Sequence, residues 1–199
     1  LAVRPRARAC SGLAPAGFDR GLVGTLDSLG DGCAATTHDY RDGRLTCLQR
    51  TRASDSPGQF YGEVTQILGF NPLRHAGKVT GLAGHGDPEP AAPIVSRLFR
   101  LSRDGRDFRM MSSLARWQGR GAYWKLSLHA PEDVAAAAQQ RLEEVVADYV
   151  RLALERTGHD RLVLAGGVIA NVRLNRVLGL LPGVRAVHVH PAMSDEGLS

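Results

Sequence analysis

The chain predicts an α/β fold with helices laid against a mixed β-sheet, and three stretches carry that prediction. Residues 22–51 read as strand, tight turn, strand, hairpin turn and strand. Residues 131–158 carry one long amphipathic helix. Residues 162–190 then run strand, glycine turn, helix, strand, the alternation expected where helices cover a sheet.

In chain order, residues 1–17 are rich in Ala, Arg and Gly, and Pro5 and Pro15 limit any helix to the stretch between them. GLVGTLD, ending at Asp27, is a buried strand, and SLGDG turns it into the β-branched strand CAATTHDY. Asp42-Gly43 is a hairpin signal, and LTCLQRT is the returning strand. Ser56 is placed to cap a helix with Pro57 at its first position, where a missing N–H costs nothing. Phe60, Val64, Ile67 and Leu68 share one face of that helix, and Gly69 ends it. A short helix around 77–83 follows, closed by the Gly and Pro punctuation of 84–88.

Residues 89–130 have no clean period. Asp104-Gly105 turns one short strand into another, and Trp117, Tyr123 and Trp124 follow, so the segment reads as an insertion covering one edge of the core. Pro131 opens the longest helix, with Glu132 and Asp133 where the helix dipole favours acids. Val134, Ala138, Leu142, Val145, Val146, Tyr149 and Leu152 form its inward stripe, and Gly158 caps it.

The stretch LVLAGGVIAN…AVHVHPAMSDEG carries the strongest chemical signal. Gly166-Gly167 after a strand lets backbone approach an adenosine or its phosphates, and Asn171 offers an amide to a ribose or base. No Gly-Lys-Ser/Thr follows and the spacing is not G-x-G-x-x-G, which excludes both common phosphate fingerprints. Asp195, beyond a strand and beside a helix start, could ligate a divalent metal or serve a solvated helix cap. The turn holding Asp27, Gly30, Asp31 and Gly32 is either a phosphate approach or simply a hairpin turn. His188 and His190 share a strand face, for which packing or surface exposure is the expected role.

Composition narrows the class. The 199 residues suffice for a real core, and no apolar run nears the ~18 residues of a membrane span. The net charge of +5 is almost wholly arginine, spread along the chain, which suits solvated faces rather than a nucleic-acid groove. Cys10, Cys33 and Cys47 form neither a disulfide framework nor a zinc knuckle, as in a reduced cytoplasmic protein. A start without Met and an end at Ser199, in what reads as a first helical turn, are expected of a fragment.

Four blocks in order, SPGQFYGEVTQILGF, GKVTGLAGHGDP, LVLAGGVIANVRLN and PAMSDEG, preceded by FDRGLVGTLDSLGDGCAATT, resemble the NodU/CmcH-type carbamoyltransferases. The likeness covers nearly the whole chain apart from residues 89–130. It implies an incomplete ASKHA-type (actin, sugar kinase, Hsp70) domain over residues 1–199, from which a C-terminal YrdC-like domain is missing. It also implies a cytoplasmic enzyme that takes carbamoyl phosphate and ATP. In such enzymes the YrdC-like domain forms carbamoyl-adenylate, and the ASKHA-like domain passes the carbamoyl group to the hydroxyl of a small metabolite or sugar. No membrane or nucleic-acid partner is implied, and a homodimer is compatible with the resemblance.

The resemblance assigns nucleotide binding to Gly30, Asp31, Gly32, Gly166, Gly167 and Asn171, and a divalent metal, iron in the family, to Asp195. Two departures stand against it. The family's two metal histidines, four apart on a helix, match Arg4 and Arg8 here, and arginine stays protonated and cannot ligate a metal. The family's Glu before the Gly-Lys-Val block is Ala76. The chain alone is therefore expected to lack transferase activity, and a catalytically inactive nucleotide-binding remnant is the alternative expectation.

Overall fold

A computed structural model describes residues 3–30, 32–111 and 121–191. Its main sheet has five strands: β1 (Arg20–Gly30), β2 (Cys33–Arg41), β3 (Arg44–Arg52), β6 (Arg161–Ala165) and β7 (Ala186–Val189). Their order is β3-β2-β1-β6-β7. β1, β2 and β3 are antiparallel neighbours joined by tight turns, whereas β6 pairs parallel with β1 and β7 parallel with β6. The sheet is mixed because two-residue turns join only antiparallel strands, while the long helical connections return the chain in parallel.

Strand alternation decides what each face carries. In β1 and β6, Leu22, Leu26, Leu162 and Leu164 point into the main core. Helices α2 (Pro57–Ile67) and α6 (Pro131–Thr157) cover that side. Val23 and Val163 point to the opposite face, where Ala9 of α1 (Val3–Ala16) seals them. The helix α1 runs across both prolines that were expected to bound it. Pro5 lies in its first turn, where N–H groups have no intrahelical acceptor, and Pro15 lies in its last, where a single bond is lost.

Helix α2 is capped as expected: the Ser56 hydroxyl accepts a hydrogen bond from the Gln59 N–H at 3.1 Å. Helix α3 (Ala76–Leu82) and a single turn, α4 (Ala92–Val95), follow. In α6 the inward stripe holds except at Leu152, which is half-buried, while Ala153 and Leu154 are buried beside it. Gly158 ends α6 in the left-handed conformation.

Residues 89–130 are not merely an edge cover. β4 (Phe99–Leu101) and β5 (Phe108–Met110) form a small antiparallel hairpin, and α5 (Ala122–Leu126) follows. Phe99 stacks on Phe60 at 4.8 Å between ring centroids, Phe108 lies 5.4 Å from Phe99, and Tyr149 lies 4.4 Å from Phe108. All four rings are buried, so the hairpin supplies the middle of an aromatic stack joining α2 to α6. Side chains anchor its backbone as well: Arg141 donates to the Phe99 carbonyl at 2.6 Å, and Asp55 accepts from the Met110 N–H at 2.9 Å. Among the described residues, no helix is long and apolar enough to cross a membrane.

Candidate functional site

The C-terminal ends of β1 and β6 are where this fold opens. Past β6 the chain enters a short 3-10 turn, Gly167–Ala170, and then α7 (Val172–Gly179), capped by Asn171. Gly166 makes that turn with φ of +106°, and a Cβ there would lie 2.2 Å from the Leu26 carbonyl oxygen. Its lack of a side chain is thus explained by close packing onto β1. Gly167 sits over the end of β1, where a Cβ would lie 3.3 Å from Asp27 Oδ1. From the other side, Gly58 brings the first turn of α2 onto Ser28, with backbone atoms 2.9 Å from where its Cβ would be. Ser56 ties the two together by donating to the Asp27 carbonyl at 2.7 Å.

Between these elements lies a cavity of about 170 Å³, lined by Ser28, Gly58, Tyr61, Thr80, Gly167 and Asn171 among others. A closed polar network forms one wall. The Tyr61 hydroxyl donates to Gln139 Oε1 at 2.7 Å and lies 2.9 Å from the Thr80 hydroxyl. The two amides of Gln139 and Asn171 exchange hydrogen bonds at 3.1 and 2.9 Å. Burial pushes the Tyr61 phenol up to about 12, against a smaller opposing effect of the Thr80 hydrogen bond. At neutral pH Tyr61 is consequently a donor, not a base.

The predicted residues divide three ways. Gly167 and Asn171 line the cavity, and so does Ala76. Asn171 does so with a saturated amide. Its oxygen accepts from the Leu174 N–H at 3.1 Å and from Gln139, and its nitrogen donates to Gln139 and, at 3.4 Å, to Thr80. It caps α7 and fixes the wall instead of offering a free amide, and only the long Thr80 bond is readily exchanged for a ligand. Gly166 packs behind the cavity against Leu26. Gly30 and Gly32 flank the β1–β2 turn; Gly30 pairs with Cys33, and the Gly32 carbonyl accepts from the Ala53 N–H at 3.1 Å. Asp31 and Asp195 lie outside the described residues, and only the backbone of Arg4 is described.

Sequence reasoning missed Tyr61, Thr80 and Gln139. Gln139 interrupts an alanine run on the buried side of α6, and a buried amide there requires partners, a signal that could have been used. Asp27 was noticed but its partner was not: Arg8, 6% exposed, forms an ion pair with its half-buried carboxylate. Asp27 Oδ1 also accepts from the Ser28 N–H at 2.8 Å.

The sequence model for the carbamoyltransferase N-terminus matches residues 7–199. The chain belongs to that family. The chain is 31% identical to nodulation protein NolNO of Sinorhizobium fredii, over 95% of this chain and 28% of that one. It is 30% identical to nodulation protein NolO of Bradyrhizobium diazoefficiens, over 95% of this chain and 35% of the relative. A tRNA N6-adenosine threonylcarbamoyltransferase of Gloeobacter violaceus is 35% identical over 73% of this chain and 41% of its own length. The chain therefore spans well under half of the curated relatives it matches. Among solved structures, component A of (R)-2-hydroxyglutaryl-CoA dehydratase from Acidaminococcus fermentans superposes with a TM-score of 0.56 at 17% identity, covering 96% of this chain and 62% of that one. The fold is accordingly of the actin-like ASKHA type.

The donors described here do not fit the family's metal. Of the three ligand positions the resemblance implies, position 8 holds a guanidinium already paired with Asp27. Among the described residues there is no cluster of three or more His, Cys, Asp or Glu placed to hold an ion.

Proposed function

We propose that the carbamoyltransferase domain binds an adenine nucleotide at the β1/β6 opening and passes a carbamoyl group from carbamoyl-adenylate, made from carbamoyl phosphate and ATP, to the hydroxyl of a small-molecule acceptor. The observation that carries this reading is the cavity between β1, α2, α3 and the Gly167–Ala170 turn, walled by four of the family-like blocks' own residues: Gly58, Tyr61, Thr80 and Asn171. At about 170 Å³ the cavity is smaller than the ~300–1,000 Å³ of a typical ligand pocket, so it suits one part of a nucleotide or the carbamoyl group rather than the whole adenylate. The remainder would lie along the open side.

In such a transfer the acceptor oxygen bonds to the carbamoyl carbon, the bond from that carbon to the phosphate oxygen breaks, and AMP leaves with the electron pair. The hydroxyl proton must pass to a base. The role of this chain's residues is orientation: the Tyr61–Gln139–Asn171 network holds the wall rigid, and the protonated Tyr61 directs a donor along it. Use of carbamoyl phosphate and ATP would place the reaction in the cytoplasm.

A second reading, a nucleotide-binding remnant without transferase activity, is favoured by the Arg8–Asp27 pair at the opening. Incubating the full chain with hydroxyl acceptors, ATP, carbamoyl phosphate and a separately supplied YrdC-like domain that forms carbamoyl-adenylate, with mass spectrometry of the products, separates the two. A carbamoylated acceptor supports transfer. Calorimetric binding of ATP without any carbamoylated product supports the remnant, and no ATP binding overturns both.

A further inference from the structure

The end of β1 carries a carboxylate whose two oxygens are both engaged. Asp27 Oδ1 accepts from the Ser28 N–H at 2.8 Å, and Oδ2 pairs with the Arg8 guanidinium. Arg8 is buried and Asp27 half-buried where β1 and β6 pass out of their pairing, with Gly167 directly over Asp27. One turn along α1 from Arg8, Gly12 packs against Ala165 and against His190 just past the end of β7. Neither ring nitrogen of His190 has a partner among the described residues. This is the part of the fold in which the family resemblance puts a divalent metal, with position 8 as a ligand.

We propose that the Arg8–Asp27 ion pair occupies that centre and that this chain holds no divalent metal there. A guanidinium has no lone pair to give a metal, and its permanent charge repels a cation brought beside it. It also engages Asp27, and among the described residues no group of three or more His, Cys, Asp or Glu supplies the three or four donors a transition metal needs. The inference stands apart from the transfer reaction, because its readout is metal uptake and not turnover.

The test uses the full chain, stripped of metal and titrated with Mn²⁺, while the amide NMR signals of Ser28, Ala165 and Gly167 are followed. The expected result is that these signals keep their width, whereas selective broadening at these three positions in the unmodified chain would overturn the proposal. The Arg4→His/Arg8→His double variant is expected to gain selective broadening there, with Mn²⁺ affinity at least about tenfold above the unmodified chain. A double variant with an unchanged circular-dichroism spectrum that gains nothing would also overturn it. Should the double variant fail to fold, the unmodified chain decides the matter alone.

Discussion

At the scale of single residues, two kinds of requirement fix the candidate site: absent side chains and buried polar ones. Gly166 combines a positive φ with a place where a Cβ would lie 2.2 Å from the Leu26 carbonyl oxygen, so Gly166→Ala must move backbone, not merely a rotamer. The expected cost is about 3 kcal/mol or more in urea unfolding, larger than for an ordinary surface change. His38 shows the other kind. Buried on the α1 side of the sheet, its imidazole is pushed down to about 4, first by burial and then by the nearby Arg50 charge. A histidine held neutral in the folded state contributes stability that is complete above its unfolded pKa near 6.5 and is lost as pH falls toward 4. The loss should reach about 3 kcal/mol by the lower limit, and His38→Gln should flatten the stability profile between those pH values. Asp39 acts at still lower pH. Burial opposes its ionisation, but hydrogen bonds from His159 and Arg41 outweigh this and hold its carboxyl below the usual range. Its contribution is present above the ordinary carboxylate pKa and disappears below it.

At the scale of elements, β1 and α2 meet through one hydroxyl. Ser56 both accepts from the first turn of α2 and donates to the Asp27 carbonyl. Ser56→Ala removes both bonds in a fully buried place, and about 1–2 kcal/mol should be lost, with faster amide exchange at Gln59 than at the far end of the helix. This cap was legible in the sequence because Ser-Pro before an apolar face has a local cause. The same holds for the hairpin at Asp42-Gly43 and for the Gly158 stop of α6: each is decided by a few adjacent residues. What was not legible depended on distant partners. The Phe99 ring lies between Phe60 and Phe108, contacts spanning the three-dimensional core, and a short strand pair with charged neighbours gives no periodic hint of that position. Phe99→Ala should therefore cost about 3–5 kcal/mol, a core penalty at a site that sequence pattern alone places on an edge. Asn171 was legible as a special residue but not in its use: its amide is saturated by Gln139, Thr80 and the Leu174 N–H, three partners supplied by three helices.

At the scale of the whole molecule, the site exists only because an antiparallel half and a parallel half of one sheet share β1. The antiparallel half carries β1 past its pairing with β6 to Asp27 and Ser28, and the parallel half brings Gly167 beside them after a long helical excursion that has already placed Tyr61, Thr80 and Gln139. A ligand held there touches segments far apart in sequence, so its binding should be visible as cooperative stabilisation and not as a local change. At a ligand concentration of about 100 times Kd, binding to the folded state alone contributes about 2.7 kcal/mol. If the proposed nucleotide site is correct, saturating ATP should raise the thermal midpoint and slow amide exchange together at Ser28, at Gly58 to Gly62 and at Asn171. Exchange along the exposed outer strand β3, which lies on the far side of β2 from the cavity, should change much less. Protection confined to one of those segments, or spread equally into β3, would mean that ATP binds elsewhere, because no single element of this fold makes the cavity by itself.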